Sequence, residues 1–254
     1  MAELDRALRL QLLEFASGPD MIHGEALRHL GGGSKHSILT FFNKSLRTGI
    51  VPQSWRHGVI IPLLKSGKKA AELASYRPVE STSCLCKLTK RIITERIRDI
   101  IEPKLTRQQS GFRPSHSTLD QLLHLRAVMR RPAPKDKMAA VFVDYAKAFD
   151  TVDNDKIILE MRRLKDRTAA VFVDYAKAFD TVDNDKIILE MRRLGIPQHI
   201  VRWSASFLGN RTAVVRVNKV HSSPASFTRG VPQGTVLGPL MFIIVMNSFS
   251  IQFA

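Results

Sequence analysis

The sequence predicts an α+β fold. Apolar residues recur at helical spacing in several segments, most clearly over residues 85–101, where Leu88, Ile92, Ile93, Ile97, Ile100 and Ile101 form one stripe. Between such segments lie short runs rich in β-branched residues, such as 58–64 and 211–217. The 254 residues are 44% apolar and 24% charged, and the 12 prolines are scattered. That is a globular composition, of a length that suits one or two domains with a substantial core, and it argues against a disordered tail or a fibre.

Taken in order, residues 34–47 place Ile38, Leu39, Phe41, Phe42 and Leu46 at helical spacing, with Ser34 as cap candidate and Gly49 past the end. The Gly31-Gly32-Gly33 run before it lacks the Gly-x-x-x-x-Gly-Lys-Ser/Thr spacing of a phosphate loop and reads as a flexible turn. Residues 58–64 read as a strand, followed by a basic turn at Lys65-Ser66-Gly67-Lys68-Lys69. In the 85–101 helix Lys87, Lys90, Arg91, Arg96 and Arg98 fall mostly off the apolar stripe, and Pro103 stops it. Ser117 caps a helix to about residue 130, with Asp120 completing a weak capping box. Residues 211–217 and 226–229 read as strands, and GVPQGTVLGPLMF at 230–242 opens a last apolar helix.

Two adjacent blocks, 135–164 and 165–194, are tandem duplicates that differ only at Lys137/Arg167 and Met138/Thr168. Solvent-type positions repeat along with apolar ones, and a solenoid needs three or more units, so the repeat reads as a recent copying event in the gene. Each block predicts a buried strand (AAVFVDYA), a turn and a helix opened by an Asp/Asn cluster, with Ile157, Ile158, Met161 and Leu164 on one side in the first copy. The second copy ends in the helix stop Gly195-Ile196-Pro197, whereas the first runs directly into Lys165-Asp166-Arg167.

The formal charge is +16, and each block is neutral with six bases and six acids, so the whole excess lies outside the duplication. A strongly basic folded chain points to an anionic partner, and carboxylates gathered in one short unit suit a metal-dependent enzyme acting on nucleic acid as well as a basic domain with an acidic loop. Cys84 and Cys86 are too few for a disulfide framework or a zinc site. No signal peptide is evident, and the longest apolar run, about residues 240–246, cannot span a bilayer. The expectation is a soluble intracellular protein, nuclear or cytoplasmic, with no membrane partner; its oligomeric state stays open.

Asp144 and its duplicate Asp174 each interrupt an apolar strand, where an ionised carboxylate without a partner is costly. Such an acid faces a cation or a cleft, or bonds the next turn from a strand end.

The ordered motifs SYRPV (Ser75 to Val79), QSGFRP (Gln109 to Pro114), FVDYAKAFD and GVPQG resemble reverse transcriptases of LINE-type, non-long-terminal-repeat retrotransposons, with wording similar to ingi-like elements. The resemblance runs from near Gly18 to about Asn247. It implies a right-hand polymerase: residues 1–134 as an N-terminal extension and fingers, 135–254 as an incomplete palm, the thumb absent. It also implies an RNA template, a DNA primer and deoxynucleoside triphosphates as partners, with Mg²⁺ as cofactor held by the catalytic aspartate, Asp144 or Asp174.

By the same resemblance, Phe149 or Phe179 takes the position that presses on the sugar and disfavours a 2′-hydroxyl. Lys65 and Arg77 hold the triphosphate, and Gln233 lies near nucleotide and template. Gln109, Gly111, Phe112 and Arg113 form a template-contacting segment. Packing or surface roles compete for each of these residues.

No Asp-Asp pair occurs in the chain, although the family's later palm hairpin carries an aromatic-x-Asp-Asp motif. The resemblance therefore implies a fragment of a reverse transcriptase that is inactive as it stands; the alternatives are a non-catalytic basic RNA/DNA-binding module and a product that does not fold. The two copies compete for one place, and Gly195 with the short route to Gly230 favours the second.

Overall fold

The structure, a computed structural model, describes residues 1–10, 17–107, 109–129, 139–146, 169–176, 178–232 and 234–251. It mixes helices with a five-stranded mixed sheet and a separate two-stranded one, the α+β class predicted. The helices are α1 (Ala2–Arg9), α2 (Gly24–Arg28), α3 (Gly32–Thr48), α4 (Cys84–Ile101), α5 (Thr118–Met129), α6 (Ala178–Thr181), α7 (Asn184–Arg193), α8 (Gln198–Leu208) and α9 (Leu237–Ile251). The strands are β1 (His57–Leu64), β2 (Tyr76–Ser81), β3 (Ala139–Ala146), β4 (Ala169–Ala176), β5 (Arg211–Val217), β6 (Val220–His221) and β7 (Ala225–Phe227).

In the larger sheet β1 pairs antiparallel with β2 and parallel with β5, while β6 and β7 pair antiparallel with β5. Pro62 and Pro78 face each other in the β1–β2 register. They lie beyond the His57 to Ile60 stretch that pairs with β5, where no third strand requires an N–H. Strand β2, met in the sequence only as the SYRPV motif, is thus an edge strand that tolerates its proline.

Several elements depart from the sequence reading. Helix α3 begins at Gly32 with Gly31 at its cap, so the glycines are its first turn and Ser34 caps nothing. Lys35 Nζ of this first turn bonds Asp5 Oδ1 of α1 at 2.9 Å, which ties the start of α3 to α1. Helix α1, not foreseen, buries Leu4, Ala7 and Leu8 and packs against α4; Glu3 takes a fork of bonds from Arg96 at 2.8 and 2.6 Å, and Arg6 bonds Glu95 at 3.0 Å. Helix α8 was also missed. It inserts Trp203, which stacks on Phe207 and donates its Nε1–H to Ser45 Oγ at 3.1 Å.

Other local expectations hold: Ser117 and Asp120 form the reciprocal capping box, and Gly49 ends α3 in the left-handed conformation. The structure adds a cap that the sequence reading did not name, Ser83, which accepts from Cys86 N at the start of α4. Lys90 is the exception on α4. It shares a face with Cys86, Ile93 and Ile97, is fully buried, donates to Thr82 Oγ1 at 3.0 Å and lies 5.1 Å from the centre of the Phe207 ring. Burial holds its pKa below the ordinary lysine value.

One buried apolar cluster runs from Leu4 through α3, α4, α7 and α8 to Val245 in α9, and so draws on both sides of residue 134. Among the described residues no helix is long and apolar enough to cross a membrane; the apolar α9 is instead core. The second copy contributes α7 to this core, with Val182, Ile187, Met191 and Leu194 buried. Strands β3 and β4, one from each copy, pair parallel with each other and in register, each residue opposite its duplicate.

Candidate nucleotide and template site

Four of the sequence motifs meet around the loop that precedes α9. Gly230 has φ +80°, and its N–H donates to Val182 O at 2.8 Å; Val231 N–H donates to Phe179 O at 2.7 Å. A Cβ on Gly230 would sit 2.5 Å from Asp180 O, so the loop closes onto the α6 turn only because this residue is glycine. That turn is the AFDTVD of the second copy, held in place by Asp183, whose side chain caps α7 by accepting from Asp185 N and Lys186 N. The loop's other end lies on β2: a Cβ on Gly234 would be 3.2 Å from Val79 Cγ1.

Phe179 is half-buried in this corner. Its ring centre is 5.6 Å from that of Phe112, at 82°, and 5.2 Å from that of Phe242 in α9. Phe112, from QSGFRP, has φ +61° and is 53% exposed, so it packs against Phe179 and Phe242 while much of the residue stays open to solvent. An aromatic pair held edge-on, as Phe112 and Phe179 are, contributes about 0.5–1.5 kcal/mol beyond area burial.

Arg113 braces the segment. Its Nε and Nη2 donate to Glu102 Oε1 at 3.0 and 2.7 Å, and its Nη1 donates to the carbonyls of Thr106 and Gln109 at 2.8 and 2.9 Å. With the side chain 8% exposed, this guanidinium is committed to the protein. Gln109 Nε2 donates to Gly111 O at 3.1 Å, closing the turn that presents Phe112.

Lys65 and Arg77 stand at the end of the β1–β2 hairpin. Lys65 follows Leu64, which is opposite Tyr76, and Lys65 N–H donates to Ser75 O at 2.8 Å. Arg77 is exposed, opposite Leu63, and two residues from Val79, hence on the strand face against which the loop lies. Phe149 and Gln233 lie outside the described residues.

The sequence reading overlooked Arg211, the first residue of β5. Its Nη1 donates to Gly230 O at 2.8 Å and its Nη2 to Glu80 Oε2 at 3.1 Å, with both side chains under one-tenth exposed. An Arg three residues past the helix end at Leu208, opening an alternating strand, was the only available signal, and it does not single out a buried role.

Asp144 and Asp174 occupy facing register positions of β3 and β4. Carboxylates are the hard oxygen donors that Mg²⁺ prefers. Among the described residues, however, no group of three or more His, Cys, Asp or Glu side chains could hold an ion. The donor type fits such a cation, but among the described residues the donor number falls short, so no reaction step is derived through a metal.

Comparison with known proteins comes from two directions. The family model described as reverse transcriptase (RNA-dependent DNA polymerase) matches residues 65–165 and 158–254, two segments that overlap where the first block of the duplication ends. The chain is 30% identical over 245 residues to a probable RNA-directed DNA polymerase from transposon BS of Drosophila melanogaster, covering 95% of this chain and 24% of that protein. It is 29% identical to the RNA-directed DNA polymerase from mobile element jockey of the same organism, covering 91% and 22%. A Pol polyprotein of the retrotransposable element R2 of Popillia japonica is 25% identical over 82% of this chain and 25% of its own length. The chain thus spans about a quarter of the length of these relatives.

Proposed function

Because the chain belongs to the reverse transcriptase family of LINE-type, non-long-terminal-repeat retrotransposons, we propose that it forms the part of such a polymerase that holds an RNA template, a DNA primer and an incoming deoxynucleoside triphosphate. The observation that carries this reading is the meeting of the Gly230–Gly234 loop, the Phe179 turn and Phe112 in one corner beside β2. Residues 1–134 correspond to an N-terminal extension with the fingers and 135–254 to a partial palm, built around one shared core.

The exposed Arg77, with Lys65 beside it, attracts the triphosphate, a forked donor and a point charge serving different oxygens. Phe179 lines the sugar. Phe112 offers its open face to a template base, while Arg113 and Gln109 hold the turn that aims it. The net charge of +16 draws in the nucleic-acid backbone.

The family uses divalent metal ions, and Asp144 or Asp174 is the carboxylate of this chain assigned to them. With no Asp-Asp pair in its 254 residues, the chain on its own binds without polymerising. This is also what favours the second reading, a basic RNA/DNA-binding module.

The test is an RNA/DNA duplex titrated against the chain at several salt concentrations, followed by primer extension with Mg²⁺ and deoxynucleotides. The expected result is affinity that falls steeply with salt and no extension. Absent or salt-insensitive binding refutes the nucleic-acid reading; extension that is lost on Asp174→Asn refutes the inactivity.

A further inference from the structure

We infer that Arg211 and Glu80 are positioning residues, a buried clasp that sets the distance between the Gly230–Gly234 loop and β2 and so shapes the nucleotide site; the inference rests on the polymerase reading above. Arg211 reaches two elements at once, the Gly230 carbonyl at 2.8 Å and Glu80 Oε2 at 3.1 Å, and its guanidinium lies 5.8 Å from the Phe227 ring centre. The planar fork serves two acceptors in fixed directions, which a lysine ammonium does not reproduce. Glu80 can approach because residue 58 is glycine: a Cβ there would fall well inside contact distance of the Glu80 carboxyl.

Stability alone does not account for the pair. Two charges withdrawn from water are often replaced by apolar side chains of similar volume with no loss. What an apolar pair would not do is hold the Gly230 carbonyl. Gly230 is gripped from both sides, its N–H by Val182 of the second copy and its carbonyl by Arg211, and its left-handed φ of +80° fixes the two peptide planes relative to each other. Through Glu80 the same clasp reaches β2, one residue from Val79, whose Cγ1 would lie 3.2 Å from a Cβ on Gly234, and three from Arg77. One guanidinium therefore ties the loop to β2, while the loop's own N–H groups tie it to the Phe179 turn.

The experiment compares the full chain with the double variant Glu80→Met plus Arg211→Met, which removes both charges while keeping volume, and with Arg211→Lys, which keeps the charge and loses the fork. Three quantities are read: amide hydrogen exchange at Gly230 and Val231 relative to core amides, affinity for a fluorescent deoxyadenosine triphosphate analogue with Mg²⁺, and affinity for an RNA/DNA duplex. The expectation is that core exchange in the double variant stays close to that of the parent, while the two loop amides exchange about tenfold faster or more. Nucleotide affinity then falls about tenfold, and duplex affinity changes less than about twofold. Unchanged loop exchange in a folded double variant overturns the clasp, as does nucleotide affinity equal to that of a binding parent. If the double variant does not fold, Arg211→Lys decides by the same exchange readout. A parent that binds duplex but no nucleotide sinks the nucleotide site of the polymerase reading, and loop exchange still judges the clasp by itself.

Discussion

Ile157 and Ile187 are the same residue of the two copies, and their truncation separates the copies energetically. Ile187 is fully buried in α7, whose neighbours α8 and α9 close over it. Ile187→Ala removes three carbon atoms from that core, about 2.4 kcal/mol at about 0.8 per buried methylene, plus a cavity contribution that brings the total to about 3 kcal/mol. For a chain of this size that lowers Tm by about 6–12 °C. If α7 keeps its place, Ile157→Ala costs less than about 0.5 kcal/mol. The assay is thermal and urea unfolding of the two single variants and the double. The double variant matches Ile187→Ala. The reasoning is refuted if Ile157→Ala is the costly change, or if Ile187→Ala alone costs far less than the double. The second outcome means that the first copy moves into the vacated place, and that Gly195 and the adjacent α8 do not commit the second copy to it.

Deleting residues 135–164 leaves one copy and shortens the connection between α5 and α6 from about 48 residues to about 18. It stabilises the chain by about 0.9 kcal/mol through loop-closure entropy and removes the self-paired AAVFVDYA strands, so thioflavin-detected aggregation falls; a loss above about 2 kcal/mol in urea melts refutes this. Glu3 accepts hydrogen bonds from Arg96, and that guanidinium holds its carboxyl below the ordinary carboxylate value. With the folded pKa depressed, its contribution is present above the unfolded value near 4.3 and is lost as pH falls through the folded one. The pair is partly exposed, so wild type exceeds Glu3→Gln by less than about 1 kcal/mol at pH 7, and the gap closes in acid; a gap that widens below pH 4 contradicts the assignment. Phe112→Ala weakens RNA/DNA binding by about 1–3 kcal/mol in a fluorescence titration, through loss of base stacking, and leaves Tm within a few degrees; equal binding removes the template role.

Legibility in the sequence followed local information. The α4 stripe, the Ser117/Asp120 box, the Gly49 end and the β1 and β5 strands are written in spacing and capping within a few residues, and the structure shows each of them. Helix α1 was lost because its signals are three small apolar contacts whose meaning depends on α4, some ninety residues away. Lys90 illustrates the limit of patterning, since a lysine reads as solvated until Thr82 and the Phe207 ring are known to surround it.

The candidate site divides in the same way. Phe112, Phe179, Lys65 and Arg77 were picked out by motif, but motifs say nothing of mutual distance. The aromatic corner and the closure of Gly230 onto the second copy came only from the fold.

From the sequence by itself came the α+β class, the family, the duplication and a charge of +16, because composition, periodicity and ordered motifs are properties of the chain read along its length. The tertiary structure decided that α7 of the second copy packs into the core, that Arg113 serves Glu102, and that Arg211 joins Glu80 to Gly230. Two copies with almost the same residues have almost the same local preferences, so only the distant surfaces each can reach, α8, α9 and the Gly230 loop, can tell them apart.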